Sequence, residues 1–176
     1  SVLEAGPGPA SAASGNPQGM LFTQLSVADT LHGEFTLHSF LHATRYYAAL
    51  LGDAPGDHSP CGLLQLYGPA GQDDLARLRE RFAALPRLAR FVDAAEASAL
   101  AGVALAHGGV YLPASGWIAP PAACARALDH PLIETRFDCR VTALAQDDDG
   151  WLVRTAGGDT LTAGAVVVAT AGAAGE

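Results

Sequence analysis

The chain has 176 residues, 49% of them hydrophobic, with a formal net charge of −8 and no lysine among its ten basic residues. That length allows one ordinary domain or two small lobes, and the apolar content excludes global disorder. The acidic balance argues against a chain that grips nucleic acid by itself, because phosphate neutralisation needs a basic surface. No apolar run approaches the length needed to cross a bilayer, and the opening residues carry no basic-then-apolar secretory leader. Cys61, Cys124 and Cys139 are odd in number and form no C-x-x-C pair. They are expected to be reduced, buried small hydrophobes in a cytoplasmic protein.

In chain order, Ser1 to Glu4 reads as the end of a β-strand closing on an acid, and 5–25 as a loop of small residues. Ser26 and Asp29 have capping-box spacing, so a helix is expected to start there. Leu37, Phe40, Leu41, Thr44, Tyr47 and Leu51 form its buried stripe, and Gly52 its stop. After a loop over 53–60, Gly62 to Tyr67 reads as a buried strand. A second helix is predicted over Asp73 to Leu85, with Leu75, Leu78, Phe82 and Leu85 on one face and Pro86 ending it. A short helix follows over 93–101. Residues Val103 to Leu112 predict a hairpin or bulged strand around Gly108-Gly109, and Pro113 to Pro121 a loop containing Trp117. Pro121 suits a first helical position, with the helix running to about Asp129.

The last third is β-rich. Arg140 to Gln146, Trp151 to Thr155 and Leu161 to Thr170 are three expected strands, separated by Asp-Gly and Gly-Gly-Asp turns. Val166-Val167-Val168 is continuous rather than alternating, as in a strand covered on both faces. The final strand is expected against Val2 to Glu4 or one position away in the same parallel sheet. A remaining bare sheet edge would be covered by self-association or rearranged termini.

A strand ending in an acid is how a dinucleotide-binding fold grips a ribose, the carboxylate accepting hydrogen bonds from the hydroxyls. The loop after Glu4 is built of small residues that let backbone N–H groups approach a pyrophosphate; composition alone favours a plain linker, and the position after a strand-ending acid and before a capped helix tips the balance. Five arginines, Arg77, Arg79, Arg81, Arg87 and Arg90, make one basic patch, for which a solvated helix face is the simpler reading. Glu34, His38 and His42 recur every four residues on the first helix, but a zinc site needs a further ligand and no metal is expected. Asp147 to Asp149 has hairpin-turn form rather than that of a calcium loop. A lone His107 has no Ser or Cys partner, and no catalytic residue can be assigned.

Val2-Leu3-Glu4, Ala13-Ser14-Gly15-Asn16-Pro17-Gln18-Gly19, Gly116-Trp117-Ile118-Ala119-Pro120, Arg140-Val141-Thr142 and Val166 to Gly172 stand in an informative order. In that order the chain resembles the FAD-dependent amine oxidoreductases of the D-amino-acid oxidase and glycine oxidase superfamily. The A-S-G-N-x-Q-G segment, with Leu21-Phe22, Leu25-Ser26, Cys61-Gly62 and Gln65-Leu66, looks closest to one branch. That branch comprises the C-terminal oxidoreductase domains of bifunctional enzymes of bacterial tRNA 5-methylaminomethyl-2-thiouridine biosynthesis.

The resemblance implies an α/β (mixed α+β) fold: part of a three-layer FAD-binding domain, residues 1–25 and 120–176, and part of a mixed-sheet substrate domain, 26–119. It implies that Glu4 binds the adenosine ribose and that Ser11, Ala13, Ser14 and Gly15 line the pyrophosphate. Asn16, Gln18 and Gly19 would lie near the flavin, and Val141 would meet adenine through its backbone. Ala169, Thr170, Ala171 and Gly172 would pack on the FAD by close backbone approach. The family's G-x-G-x-x-G turn would precede Ser1, and its substrate-carboxylate arginine would follow Glu176. The chain is therefore expected to be a fragment that does not retain FAD alone, with tRNA as partner of the full-length enzyme. The implied reaction is oxidative removal of the carboxymethyl group of 5-carboxymethylaminomethyl-uridine at the wobble position. Oxidation of glycine or another small amino acid, and a non-catalytic binding module without flavin, are the alternatives.

Overall fold

A computed structural model describes residues 1–170. In chain order its elements are β1 (Val2–Leu3), β2 (Gly19–Leu21), α1 (Leu31–Leu51), β3 (His58–Ser59), β4 (Leu63–Leu66), α2 (Gln72–Phe82), β5 (Arg90–Val92), α3 (Ala94–Ala101), β6 (Gly109–Leu112), β7 (Gly116–Ile118), α4 (Pro120–Leu128), β8 (Thr135–Arg136), β9 (Val141–Asp147), β10 (Gly150–Thr155) and β11 (Thr160–Ala163). Short 3₁₀ turns cover Ala13–Gly15 and Pro69–Gly71. The architecture is mixed α/β, in two compact units. One unit joins Ser1–Gly15 to the chain from Leu128 onward; the other is Asn16–Ala127. Residues 16–25 and 120–127 thus cluster with the middle of the chain rather than with its ends.

In the first unit β1 pairs in parallel with β8, Val2 opposite Thr135 and Leu3 opposite Arg136. Strands β9, β10 and β11 form an antiparallel meander. The turn between β9 and β10 is closed by the Asp147 carboxylate, which accepts from Asp149 N at 3.0 Å. Gly150 follows at φ +139°, with Ala163 O lying 2.7 Å from where a Cβ would stand. Only glycine tolerates both constraints.

In the second unit two three-stranded sheets have the orders β2-β7-β3 and β4-β6-β5. The amphipathic spacing of α2 buries Leu75, Leu78 and Phe82 against Leu25, Ala89, Val110 and Leu112. On α1, Phe40 and Leu51 are buried, Leu37, Thr44 and Tyr47 are half-buried, and Leu41 is exposed. Gly52 closes that helix at φ 61°, its N–H returning to Ala48 O. Helix α3 starts from a full capping box, Asp93 with Glu96.

Several expectations are corrected. Helix α1 starts at Leu31, and its cap is Thr30, whose hydroxyl accepts from Gly33 N at 3.0 Å. Ser26 and Asp29 cannot cap it, because the Ser26 hydroxyl closes on Ala28 and the Asp29 carboxylate is bound by Arg81 of α2. Helix α2 stops at Phe82, leaving Leu85 exposed; Pro86 holds the residue before it out of helical geometry. The 5–25 loop contains β2, and the 53–60 loop contains β3. Residues 103–112 form no hairpin: only Gly109–Leu112 is strand, and it is the centre of its sheet. The Trp117 segment, expected as loop, is β7, also a central strand. Cys61 is exposed, and Cys124 and Cys139 are half-buried rather than buried.

The largest correction concerns Val166 to Val168. The last described strand ends at Ala163, and the valines follow it unpaired, with Val167 and Val168 exposed. The partner of β1 is β8. Valine favours a pleated, half-buried surface, and among the described residues no strand flanks this run to complete a ladder.

Candidate functional site

The end of β1 places Glu4 at a defined spot. Its backbone N donates to Arg136 O at 2.9 Å, and its carbonyl accepts from Cys139 N at 2.9 Å. Asp138 N donates to Gly6 O at 2.8 Å, so the chain after β8 runs on alongside Glu4–Gly6. Asp138 sits at φ 51°, and this left-handed residue makes the bend. Val141, the first residue of β9, follows two residues after Cys139 and pairs with Thr155 across a register shift. Pairing with the β8 segment thus sets Glu4 beside the chain that leads into Val141.

The Glu4 side chain is half-buried, and its Oε1 accepts from Gly6 N at 2.8 Å. Among the described residues Oε2 makes no hydrogen bond, which leaves the carboxylate with acceptor capacity. The following loop is tightly wound. A Cβ at Gly6 would lie 2.6 Å from Ser11 Cβ and 3.3 Å from Glu4 Oε1, and one at Gly15 would lie 2.8 Å from Ala10 O. Ala10 itself has φ 60°. The Ser11 hydroxyl donates to Gly8 O, and Gly15 N closes on Ala12 O. Ser11, Ala13, Ser14 and Gly15 present exposed surface. The acid with a spare carboxylate oxygen and the small-residue loop beside it fit the adenosine end of FAD.

Asn16, Gln18 and Gly19 belong to the second unit. Gly19 opens β2 opposite Ile118, and a Cβ there would meet Pro120 Cγ at 3.1 Å. Asn16 and Gln18 are exposed. Ala169 and Thr170 are exposed coil, while Ala171 and Gly172 lie outside the described residues. Gly6 was not singled out from the sequence. The signal available was a glycine two residues after a strand-ending acid, the spacing that lets a backbone N–H turn back onto the carboxylate.

The arginine patch is largely engaged within the protein. Arg81 pairs with Asp29 and lies over the Phe82 ring. Arg79 covers Phe91, while Arg90 covers Tyr111 and approaches Glu96 at 3.9 Å. Arg77 and Arg87 make no ion pair among the described residues. On α1, His42 stacks on Tyr46, and no three His, Cys, Asp or Glu side chains converge as a metal site among the described residues. His107 is exposed, near Gly68. No helix of the described residues is long and apolar enough to cross a membrane. Near β1, the Glu134 carboxyl is held below its ordinary value of 4.5, first by the Ser1 hydroxyl and then by Arg136. Burial and then the Asp74 carboxylate raise the Tyr67 phenol, against a lowering bond from Gln65.

A strand-end acid, a wound small-residue loop and a mixed α/β frame are the marks of a dinucleotide-binding fold. The family model for FAD-dependent oxidoreductases of the DAO type matches residues 1–176, and the chain belongs to that family. FAD is the cofactor of the family. Among curated relatives, the tRNA 5-methylaminomethyl-2-thiouridine biosynthesis bifunctional protein MnmC of Hahella chejuensis is 38% identical over 97% of this chain and 28% of its own length. The MnmC protein of Pseudomonas putida is 39% identical over 98% of this chain and 26% of its length. The chain thus spans about a quarter of the length of these relatives. Among solved structures, glycine oxidase from Geobacillus kaustophilus superimposes with a TM-score of 0.66 at 25% identity, covering 95% of this chain and 47% of that one. Iminodiacetate oxidase from Chelativorans sp. BNC1 gives a TM-score of 0.61 at 20% identity, covering 92% of this chain and 46% of that one, and shares the fold.

Proposed function

We propose that this chain supplies part of the cofactor site of an FAD-dependent amine oxidoreductase that acts in tRNA modification. The reaction is oxidative removal of the carboxymethyl group from 5-carboxymethylaminomethyl-uridine at the wobble position. The observation that carries the cofactor reading is Glu4, whose carboxylate has one oxygen engaged by Gly6 N and the other free of hydrogen bonds among the described residues. Glu4 accepts the adenosine ribose hydroxyls, and the Val141 backbone meets the adenine. Ser11, Ala13, Ser14 and Gly15 line the pyrophosphate, their small side chains letting the backbone approach it closely. Asn16, Gln18 and Gly19 line the flavin, where a Cβ at Gly19 would press on Pro120 Cγ at 3.1 Å. Ala169 and Thr170 pack on the cofactor by close backbone approach. Bound FAD supplies a two-electron acceptor for the C–H bond beside the substrate amine, after which water cleaves the resulting imine. The flanking portions 1–25 and 120–176 serve the cofactor and 26–119 the substrate. The tRNA assignment rests on the MnmC relatives.

The test uses the complete protein that contains this chain. Glu4→Ala is expected to weaken FAD binding by about 1–3 kcal/mol, the usual cost of losing hydrogen bonds to a charged group, in a flavin-fluorescence titration. Unchanged affinity removes Glu4 from the site. Mass spectrometry of nucleosides from treated tRNA then separates the substrates. Loss of the carboxymethyl mark supports the tRNA reading. Hydrogen peroxide produced from free glycine, with the tRNA mark untouched, replaces it with the oxidase reading that the glycine oxidase superposition favours.

A further inference from the structure

Helix α1 turns one long face to solvent. Leu31, Phe35, His38, His42, Tyr46 and Ala49 recur at steps of three and four residues and are all exposed, Leu31 by 85%, Phe35 by 69% and Tyr46 by 46%. At about 100° per residue these positions fall on one stripe. Phe40 and Leu51, the buried residues of the helix, lie on the other side. Glu34 and Arg45 flank the stripe along one side, and Phe35 and Tyr46 along the other. Neither Glu34 nor Arg45 makes an ion pair among the described residues; Arg45 Nε donates only to Leu41 O of its own helix. A face this apolar is costly to leave in water.

The arrangement of the stripe is self-complementary. Consider a second α1 laid antiparallel across it, with the two-fold axis level with residue 40. Leu31 then stands opposite Ala49, His38 opposite His42 and Phe35 opposite Tyr46. In an antiparallel pair, like flanks meet, so Glu34 of each helix faces Arg45 of the other. Opposite charges meet twice, and the two aromatic residues meet on the other flank. A parallel pair crosses the flanks, setting Glu34 and Arg45 of each helix beside the aromatic flank of the other, with no opposite charge to meet. We propose that the exposed face of α1 is a homodimer interface, in which two copies of this chain pair antiparallel through Leu31, Phe35, His38, His42, Tyr46 and Ala49, with reciprocal Glu34–Arg45 ion pairs.

The face is small, about 27 Å long and 10 Å wide, below the ~800 Å² per partner of a standard stable interface. Reversible association in the tens-of-micromolar range is therefore expected. The experiment is sedimentation velocity of the 176-residue chain over a concentration series, for wild type, Glu34→Arg, Arg45→Glu, the double charge swap and Phe35→Asp. Wild type is expected to move from monomer to dimer. Each single swap should weaken the dimer about tenfold, since the two-fold axis applies the like-charge contact twice. The double swap should restore it, and Phe35→Asp should abolish it. Far-UV circular dichroism reports helix integrity; Arg45→Glu carries the test if Glu34→Arg loosens the first turn, where an acid is favoured. A monomer at every concentration, unaffected single swaps, a double swap that stays weak, or a dimer that survives Phe35→Asp each overturns the proposal.

Discussion

Gly109→Ala should be among the most damaging single-methyl additions in the chain. Gly109 lies in β6, the central strand of β4-β6-β5, opposite Leu66 on one side and Val92 on the other. A Cβ there would stand 1.9 Å from Gln65 O, 2.9 Å from Gln65 C and 3.0 Å from Leu66 Cα. All three are backbone atoms, so no side-chain rotation relieves the clash. Ordinary contact begins at 3.4 Å, so β4 must retreat by about 1.5 Å. Overpacking of this kind costs about 1–3 kcal/mol. A shift of that size also breaks about two ladder hydrogen bonds at about 1 kcal/mol each. The total is about 3–5 kcal/mol, which for a unit of about 110 residues lowers the midpoint of thermal unfolding by about 12–20 °C. Gly68→Ala in the same unit is the control. Gly68 has φ −70°, and its Cβ would meet only the His107 ring, at 3.9 Å. That change should be neutral or stabilising by up to about 1 kcal/mol. Thermal unfolding followed by circular dichroism reads both variants. A Gly109→Ala midpoint within about 2 °C of the Gly68→Ala midpoint would show that β6 and β4 do not approach as described.

Leu78→Ala empties a site that is 1% exposed, between Leu75, Phe82, Val110 and Leu112; a loss of about 3 kcal/mol is expected in urea unfolding, and a loss below about 1 kcal/mol would place Leu78 outside the core. Glu134→Gln tests the Ser1 and Arg136 contacts. Because the folded protein holds this carboxyl below its ordinary 4.5, its contribution is present above that pH and is lost as pH falls through the lowered folded value. The stability difference between wild type and Glu134→Gln should therefore shrink on acidification below pH 4.5, and a difference independent of pH would rule out ionisation as its source.

Local features are legible in the chain alone. The periodicity of Leu75, Leu78 and Phe82, the stop at Gly52, and the Asp-Gly turn at Gly150 act within a few residues of one another. Chain order therefore carries them directly, and the meander from Val141 to Ala163 was legible for that reason. The acid ending the first strand and the small-residue loop after it were also legible. Tertiary structure decided whatever needed a distant partner. Strands β3, β5, β7 and β8 are two or three residues long, too short for alternation to register, and they exist because a neighbouring strand offers its ladder. Arg81 of α2 binds Asp29, and the cap of α1 falls to Thr30, with the helix starting at Leu31. The three valines at 166–168 have strand propensity but no described strand beside them, and a lone strand cannot satisfy its own backbone. Glu4 shows both levels in one residue. Its type and place at a strand end are written in the chain, but the direction of its carboxylate follows from Gly6 turning back upon it and from β8 pairing alongside.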